Sequence, residues 1–163
     1  MTVYGRILLA GAGSALVLTA ALGYQYLGGL APCPMCIWQR WPHLVAVLLA
    51  LLAVTVFWRG HKLLASAGAL AMAAAAGLGL FHTGVERSWW QGPSTCTAAE
   101  PGSLNAAQLL DQILVTEVVR CDEVVWEFVG LSMASWNAVL SVGLAAIWLF
   151  AARAPLPELQ RPT

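Results

Sequence analysis

The stretch "LGGLAPCPMCIWQRWPH" sets Cys33 and Cys36 in a C-x-x-C pair, with Arg40 four residues past the second thiol. Two further cysteines, Cys96 and Cys121, lie far apart from each other downstream. Three chemistries compete for such a set. A zinc site of four thiolates normally draws on two close pairs, and Cys96 and Cys121 are not close. Structural stapling through a Cys96–Cys121 bridge would contribute ~3.5 kcal/mol in the chain-entropy picture, but a ring as small as C-x-x-C restrains little. Redox cycling suits the close pair, because a neighbouring cation or a helix N-terminus stabilises a thiolate. Arg40 is the cation at hand. Its planar guanidinium grips an oxygen acceptor, or at a membrane surface it snorkels to phosphate headgroups. Spacing alone leaves both roles open.

The elements that must position these residues are apolar and long. Hydrophobic residues make up 60% of the 163 residues and charged residues 10%, against roughly 25% charged in a soluble domain. So few charges cannot cover a water-soluble surface, and the zero net charge gives no basic patch for nucleic acid. A membrane helix needs about 20 mostly apolar residues. Four such spans are expected, at about 7–26, 41–58, 63–83 and 132–152, within a single membrane domain over 1–163. The outer loops are expected at about 27–40 and 84–131, with a tail at 153–163. Pro42 marks the approximate start of the second span. The third span, with "AGALAMAAAAGLGL", carries the small residues that let membrane helices approach closely. The first resembles a cleaved signal, but its apolar run exceeds the usual core of about 7–15 residues and "GGLAP" is a poor cleavage site. It is expected to be retained.

Charge fixes the expected orientation, since lysine and arginine accumulate on the cytoplasmic side. One side holds Arg6, Arg59, Lys62, Arg153 and Arg161 with Glu158; the other holds Arg40, Arg87 and Arg120 with Glu86, Glu100, Asp111, Glu117, Asp122, Glu123 and Glu127. Both termini are therefore expected inside, and all four cysteines outside, in a compartment where disulfides persist. In a bacterium that is the periplasmic face of the inner membrane. Tryptophans near the span ends, Trp148 at the inner level among them, read as interfacial anchors. His43 reads as packing, and His61 as a cytoplasmic charge.

Oxidising two thiols releases two electrons and two protons. No Gly-rich nucleotide fingerprint signals a flavin or nicotinamide, no Cys/His arrangement suggests haem, and no metal is expected. A dithiol at the lipid surface has a natural acceptor in the lipid, a quinone, taken here as ubiquinone or menaquinone.

These residues resemble the DsbB family of quinone-linked disulfide oxidoreductases. "CPMCIWQRW" is similar to the family's first-loop signature, "HTGVERSWWQGPSTC" to the passage from span three to the third cysteine, and "CDEVVWEFVGLSMASWN" to the fourth cysteine leading into span four. The resemblance covers nearly the whole chain. It implies an all-α integral membrane fold, an up-and-down bundle of four transmembrane helices. It implies that Cys96 and Cys121 form the disulfide offered to a periplasmic DsbA-like thioredoxin-fold partner, whose thiolate attacks Cys96. Cys121 would join Cys33 transiently, Cys36 would face the quinone, and Arg40 would hold its oxygen. His82, near the outer end of span three, would belong to the quinone site. Gln39, where some members carry an acid, is assigned no role. Quinone-dependent reoxidation of that partner is the expected activity. The alternatives are a vitamin K epoxide reductase-like redox enzyme and a disulfide-stapled, non-catalytic membrane protein.

The second outer loop adds one element. Ala106, Leu109, Leu110, Ile113 and Leu114 recur at helical spacing opposite Asn105, Gln108, Asp111 and Gln112, which predicts a short amphipathic helix lying on the membrane surface.

Overall fold

The computed structural model of the chain describes residues 1–55, 60–93, 96 and 119–155. Four helices dominate it: α1 (Val3–Tyr26), α2 (Pro34–Thr55), α3 (His61–Glu86) and α4 (Met133–Arg153). Each is long and apolar enough to cross a membrane; even the 21 residues of α4 reach about 31 Å at 1.5 Å per residue. Their starts are chemically marked. Thr2 caps α1, its Oγ1 accepting from the Gly5 N–H, and Ser132 caps α4 by accepting from the Ser135 N–H.

The helices form a four-sided bundle in which α1 touches α2 and α4, and α3 touches α2 and α4. The α3–α4 side is the most extensive, and its small residues explain why. A Cβ added at Gly79 would meet the Ala138 N at 2.9 Å and the Ala134 O at 3.0 Å, so α4 backbone lies directly on α3, as "AGALAMAAAAGLGL" led one to expect. Leu8, Leu16, Leu48, Leu51, Leu63, Leu70, Val142 and Phe150 point outward and are exposed, while alanines, Ser14 and Ser141 are buried. Apolar bulk outside and small or polar groups inside suit a lipid solvent, in which every backbone polar group must be satisfied internally.

Several expectations change in detail. Helix α2 starts at Pro34 rather than near Trp41, and Pro42 lies inside it. Proline suits the first helical position, where its missing N–H costs nothing, so Pro34 opens the helix and Pro42 merely leaves one carbonyl without its helical donor. The α3–α4 connection carries a small antiparallel hairpin, β1 (Glu127–Phe128) with β2 (Leu131–Ser132), beside the four helices. Its turn residues Val129 and Gly130 both have positive φ, 52° and 74°, which a tight turn of this hand demands. Trp148 is fully buried and fills the core against Gly68 rather than anchoring at an interface. His61 is buried at the start of α3 instead of standing as a surface charge. The amphipathic helix predicted around Ala106–Leu114 lies outside the described residues.

Candidate functional site

The chemistry collects at one end of the bundle, at the first turn of α2. Cys33 occupies the cap position: its carbonyl accepts the first helical bond, from the Ile37 N–H at 3.1 Å, and its Sγ accepts from the Cys36 N–H at 3.1 Å. Cys36 is thus the third residue of the helix, where the unpaired N–H groups and the helix dipole favour negative charge. The two sulfurs are 2.8 Å apart and carry free thiols. The hydrogen bond to Cys36, with burial, pushes the Cys33 thiol up from its ordinary value, so the proton of the pair is held on Cys33.

The early start of α2 also answers why an arginine follows four residues on. Cys36 and Arg40 stand one turn apart on one helix face. The Arg40 Nη1 donates to the Gln25 Oε1 of α1 at 2.6 Å. Among the described residues no carboxylate lies within ion-pair distance of this guanidinium, which leaves its remaining donors available.

His82 reaches the pair from α3. Its Nε2 lies 3.7 Å from the Cys33 Sγ. The Gln39 Nε2 donates to its Nδ1 at 2.7 Å and to the Met35 O at 3.3 Å. With Nδ1 accepting, the ring proton sits on Nε2 and points toward the cysteines. The amide row continues inward: the Asn137 Nδ2 donates to the Gln39 Oε1 at 2.7 Å, and the His43 Nε2 donates to the Asn137 Oδ1 at 2.9 Å. Gln39, given no role on sequence grounds, is therefore buried and holds the tautomer of His82. His43 is more than packing, since it terminates that row.

Cys96 and Cys121 are joined by a disulfide, with Cα atoms 5.1 Å apart, and both are buried. The sulfurs of Cys121 and Cys33 and a ring nitrogen of His82 all lie within 4.8 Å of one another. Cysteines from opposite ends of the sequence thus meet within a small movement of thiol–disulfide exchange. Two thiols and an imidazole are also a zinc-like donor set, but Cys121 is committed to Cys96 and offers no thiolate.

Beside this cluster a cavity of about 780 Å³ runs between α1 and α4, within the range of small-molecule sites. Cys36, Arg40, His82 and Glu86 line its outer end, and Gly13, Leu144 and Ile147 its depth. Aromatic rings frame the mouth: Tyr24 lies 5.3 Å from Trp126, Trp126 6.0 Å from Phe128, and Phe128 6.3 Å from Trp136. An apolar trough with a thiol, a guanidinium and an imidazole at one end fits a molecule with an oxygen-bearing ring and a hydrocarbon tail.

The structure brings together five of the six residues singled out from sequence, Cys33, Cys36, Cys121, Arg40 and His82, and sets Cys96 behind Cys121. Gln25, Gln39, His43, Asn137 and Glu86 were missed as parts of the site. For two of them a signal existed. Met35, Gln39, His43, Ala46, Ala50 and Ala53 form the buried stripe of α2, a helical spacing visible once the helix is started at Pro34.

The family profile described as "Disulfide bond formation protein DsbB" matches residues 5–151. A disulfide bond formation protein B of Methylococcus capsulatus is 34% identical over 143 residues, covering 83% of this chain and 85% of that protein. Those of Marinobacter nauticus and Stutzerimonas stutzeri are 31% and 30% identical, covering 91% and 85% of this chain and 89% and 87% of theirs. No solved structure matches the chain.

Proposed function

The chain belongs to the DsbB family of disulfide bond formation proteins, and from that premise we propose that it passes electrons from a periplasmic DsbA-like thioredoxin-fold protein to a membrane quinone, ubiquinone or menaquinone. It is a multi-pass membrane protein and a disulfide oxidoreductase. Family membership sets aside the vitamin K epoxide reductase-like and the purely stapled readings. The inner membrane, with both termini cytoplasmic and the cysteines periplasmic, is the location that the charge asymmetry supports.

The observation that carries the reading is the approach of the Cys33 and Cys121 sulfurs to within 4.8 Å, at the head of an apolar cavity that Cys36 and Arg40 line. In the first step a partner thiolate attacks the Cys96 Sγ and Cys121 leaves as a thiolate. Cys96 is only 1% exposed, so the partner must displace its cover. The Cys121 thiolate then attacks Cys33 in the oxidised Cys33–Cys36 pair, and Cys36 leaves as a thiolate at the helix N-terminus, which stabilises it. The partner's second thiol resolves the mixed disulfide. The freed Cys96 restores the bond to Cys121 and releases Cys33 reduced. Bound quinone supplies an acceptor for two electrons and two protons. Arg40, steadied by Gln25, would hold an oxygen of that acceptor through its spare donors, His82 would support the ring site, and the α1–α4 trough would take the hydrocarbon chain.

The test is turnover in detergent with reduced thioredoxin-fold partner and quinone. Quinone-dependent partner oxidation that is lost in Cys36→Ser supports the reading; wild-type protein that oxidises no partner with any quinone overturns it. Labelling intact cells with an impermeant maleimide checks orientation, and modification of Cys36 only after lysis would reverse it.

A further inference from the structure

Glu86 closes α3 with a carboxyl group whose side chain is only 7% exposed. One of its oxygens, Oε2, accepts from the Ser132 hydroxyl at the start of α4. The other, Oε1, faces the His82 Nε2 at 4.0 Å, and the same Nε2 lies 3.7 Å from the Cys33 Sγ. Because Gln39 fixes the ring proton on Nε2, His82 only donates here and cannot take up a proton at that nitrogen. Glu86 also lines the cavity that Cys36 lines. A thiolate at Cys36 and a carboxylate at Glu86, both facing this cavity, would repel each other, which favours a proton on one of them.

We propose that Glu86 is a redox-linked proton carrier, protonated while Cys36 is a thiolate and giving that proton up when the Cys33–Cys36 disulfide forms. The inference rests on the quinone reading above and deepens it by naming the source of a proton. The step balances. A Cys33 thiol, a Cys36 thiolate, a Glu86 carboxylic acid and a quinone become a disulfide, a Glu86 carboxylate and a quinol. The two sulfurs lose two electrons, the Cys33 thiol and Glu86 lose one proton each, and the charge is minus one on both sides. The return half balances too. A partner dithiol reduces the disulfide and supplies two protons, one kept on Cys33 and one returned to Glu86.

The charged and titratable groups around Glu86 leave this role to it. On its own helix are His82, fixed as a donor, and Arg87, whose guanidinium donates to the Gly130 O and whose charge, a smaller effect than burial, favours the ionised form of Glu86. From α2 come Cys33, Cys36 and Arg40, and Arg40 cannot give up a proton. The outer loop adds Arg120, likewise a permanent cation, and Glu123, whose side chain is 64% exposed and therefore open to solvent. The α4 start offers only the hydroxyls of Ser132 and Ser135.

The experiment uses full-length protein without quinone and records infrared difference spectra on reduction of the Cys33–Cys36 pair. A protonated carboxyl band is expected to appear on reduction and to be absent in Glu86→Gln. In Ser132→Ala, which removes the hydroxyl on Glu86 without touching the acid, the band is expected to move. With quinone added, Glu86→Gln should keep thiol exchange with the partner while quinol formation slows roughly 10²-fold or more. That slower rate should fall as pH rises, because the missing proton must then come from water. A reduced wild type with no carboxyl band, a band that persists in Glu86→Gln, or quinol formation in Glu86→Gln at the wild-type rate would each overturn the proposal. Failure of the wild type itself to reduce quinone would instead overturn the underlying reading, so the two failures are separable.

Discussion

Replacing Gln39 with methionine isolates what the amide row contributes. Methionine matches the length of glutamine but is apolar, so the volume of the site is nearly kept while its hydrogen bonds are not. It removes three hydrogen bonds: to the Met35 carbonyl, to the His82 Nδ1, and from the Asn137 Nδ2. The Met35 carbonyl still has its place in the helix. The His82 Nδ1 and the Asn137 Nδ2 are left as polar atoms without partners, at about 1–3 kcal/mol each, so the folded state should lose about 2–6 kcal/mol. At about 2–4 °C per kcal/mol for a chain of this size, thermal unfolding in detergent should move down by at least 4 °C or so. The functional consequence is narrower. With Nδ1 released, the ring proton is free to sit on either nitrogen, and the donor aimed at Cys33 is lost for part of the population. The maximal rate with quinone should fall, while stoichiometric exchange of the Cys96–Cys121 disulfide with reduced partner stays near the wild-type rate. Nitrogen-15 spectra of the histidines provide the decisive assay, because the two tautomers give distinct shifts. A Gln39→Met protein in which His82 keeps a single Nε2–H tautomer and unchanged quinone kinetics would refute the reasoning.

Three further outcomes are expected. Since hydrogen bonding and burial raise the Cys33 thiol, it stays protonated at neutral pH. Iodoacetamide should therefore alkylate Cys36 first in reduced, quinone-free protein, with Cys33 following only as pH rises; mass spectrometry of the peptides decides, and equal labelling at neutral pH counts against the assignment. Arg40→Met should raise the quinone KM by about 10–10²-fold, the worth of a hydrogen bond to a charged group at about 1.5–3 kcal/mol, and leave partner binding intact; steady-state kinetics with each substrate varied in turn will show the split. In a Cys36→Ser, Cys96→Ser double variant the remaining thiols of Cys33 and Cys121 should join under mild oxidation, as their 4.8 Å limit requires, and a non-reducing mass measurement will show whether they do.

The fold was legible because its signal is coarse. Four long uncharged spans admit few arrangements in lipid, and the alanine–glycine run of the third told correctly of close packing. The cysteines and Arg40 stood out as candidates because their chemistry is rare enough to mark them by type. The polar interior was not. Gln39, Asn137 and His43 are ordinary residues, and only the phase of α2 sets two of them on its buried stripe. That phase was lost by reading Pro42 as the start of a helix that Pro34 opens. Glu86 was counted with the outer acids, since nothing in one dimension shows that Ser132, forty-six residues later, will fold back over it. Trp148 and His61 were misjudged for a related reason: residues near a span end face either the interface or the core, and neighbours distant in sequence decide which.

The cavity lies on the side of the bundle closed by the first and last helices. These two are the one pair of neighbouring helices that do not follow one another in the sequence. A greasy visitor travelling within the bilayer could slip in sideways as α1 and α4 part slightly, with no helix-to-helix turn to stretch and no excursion into water. Exchange of such a visitor would then follow its two-dimensional traffic in the membrane, and the fluidity of the surrounding lipid would join the protein in setting the pace.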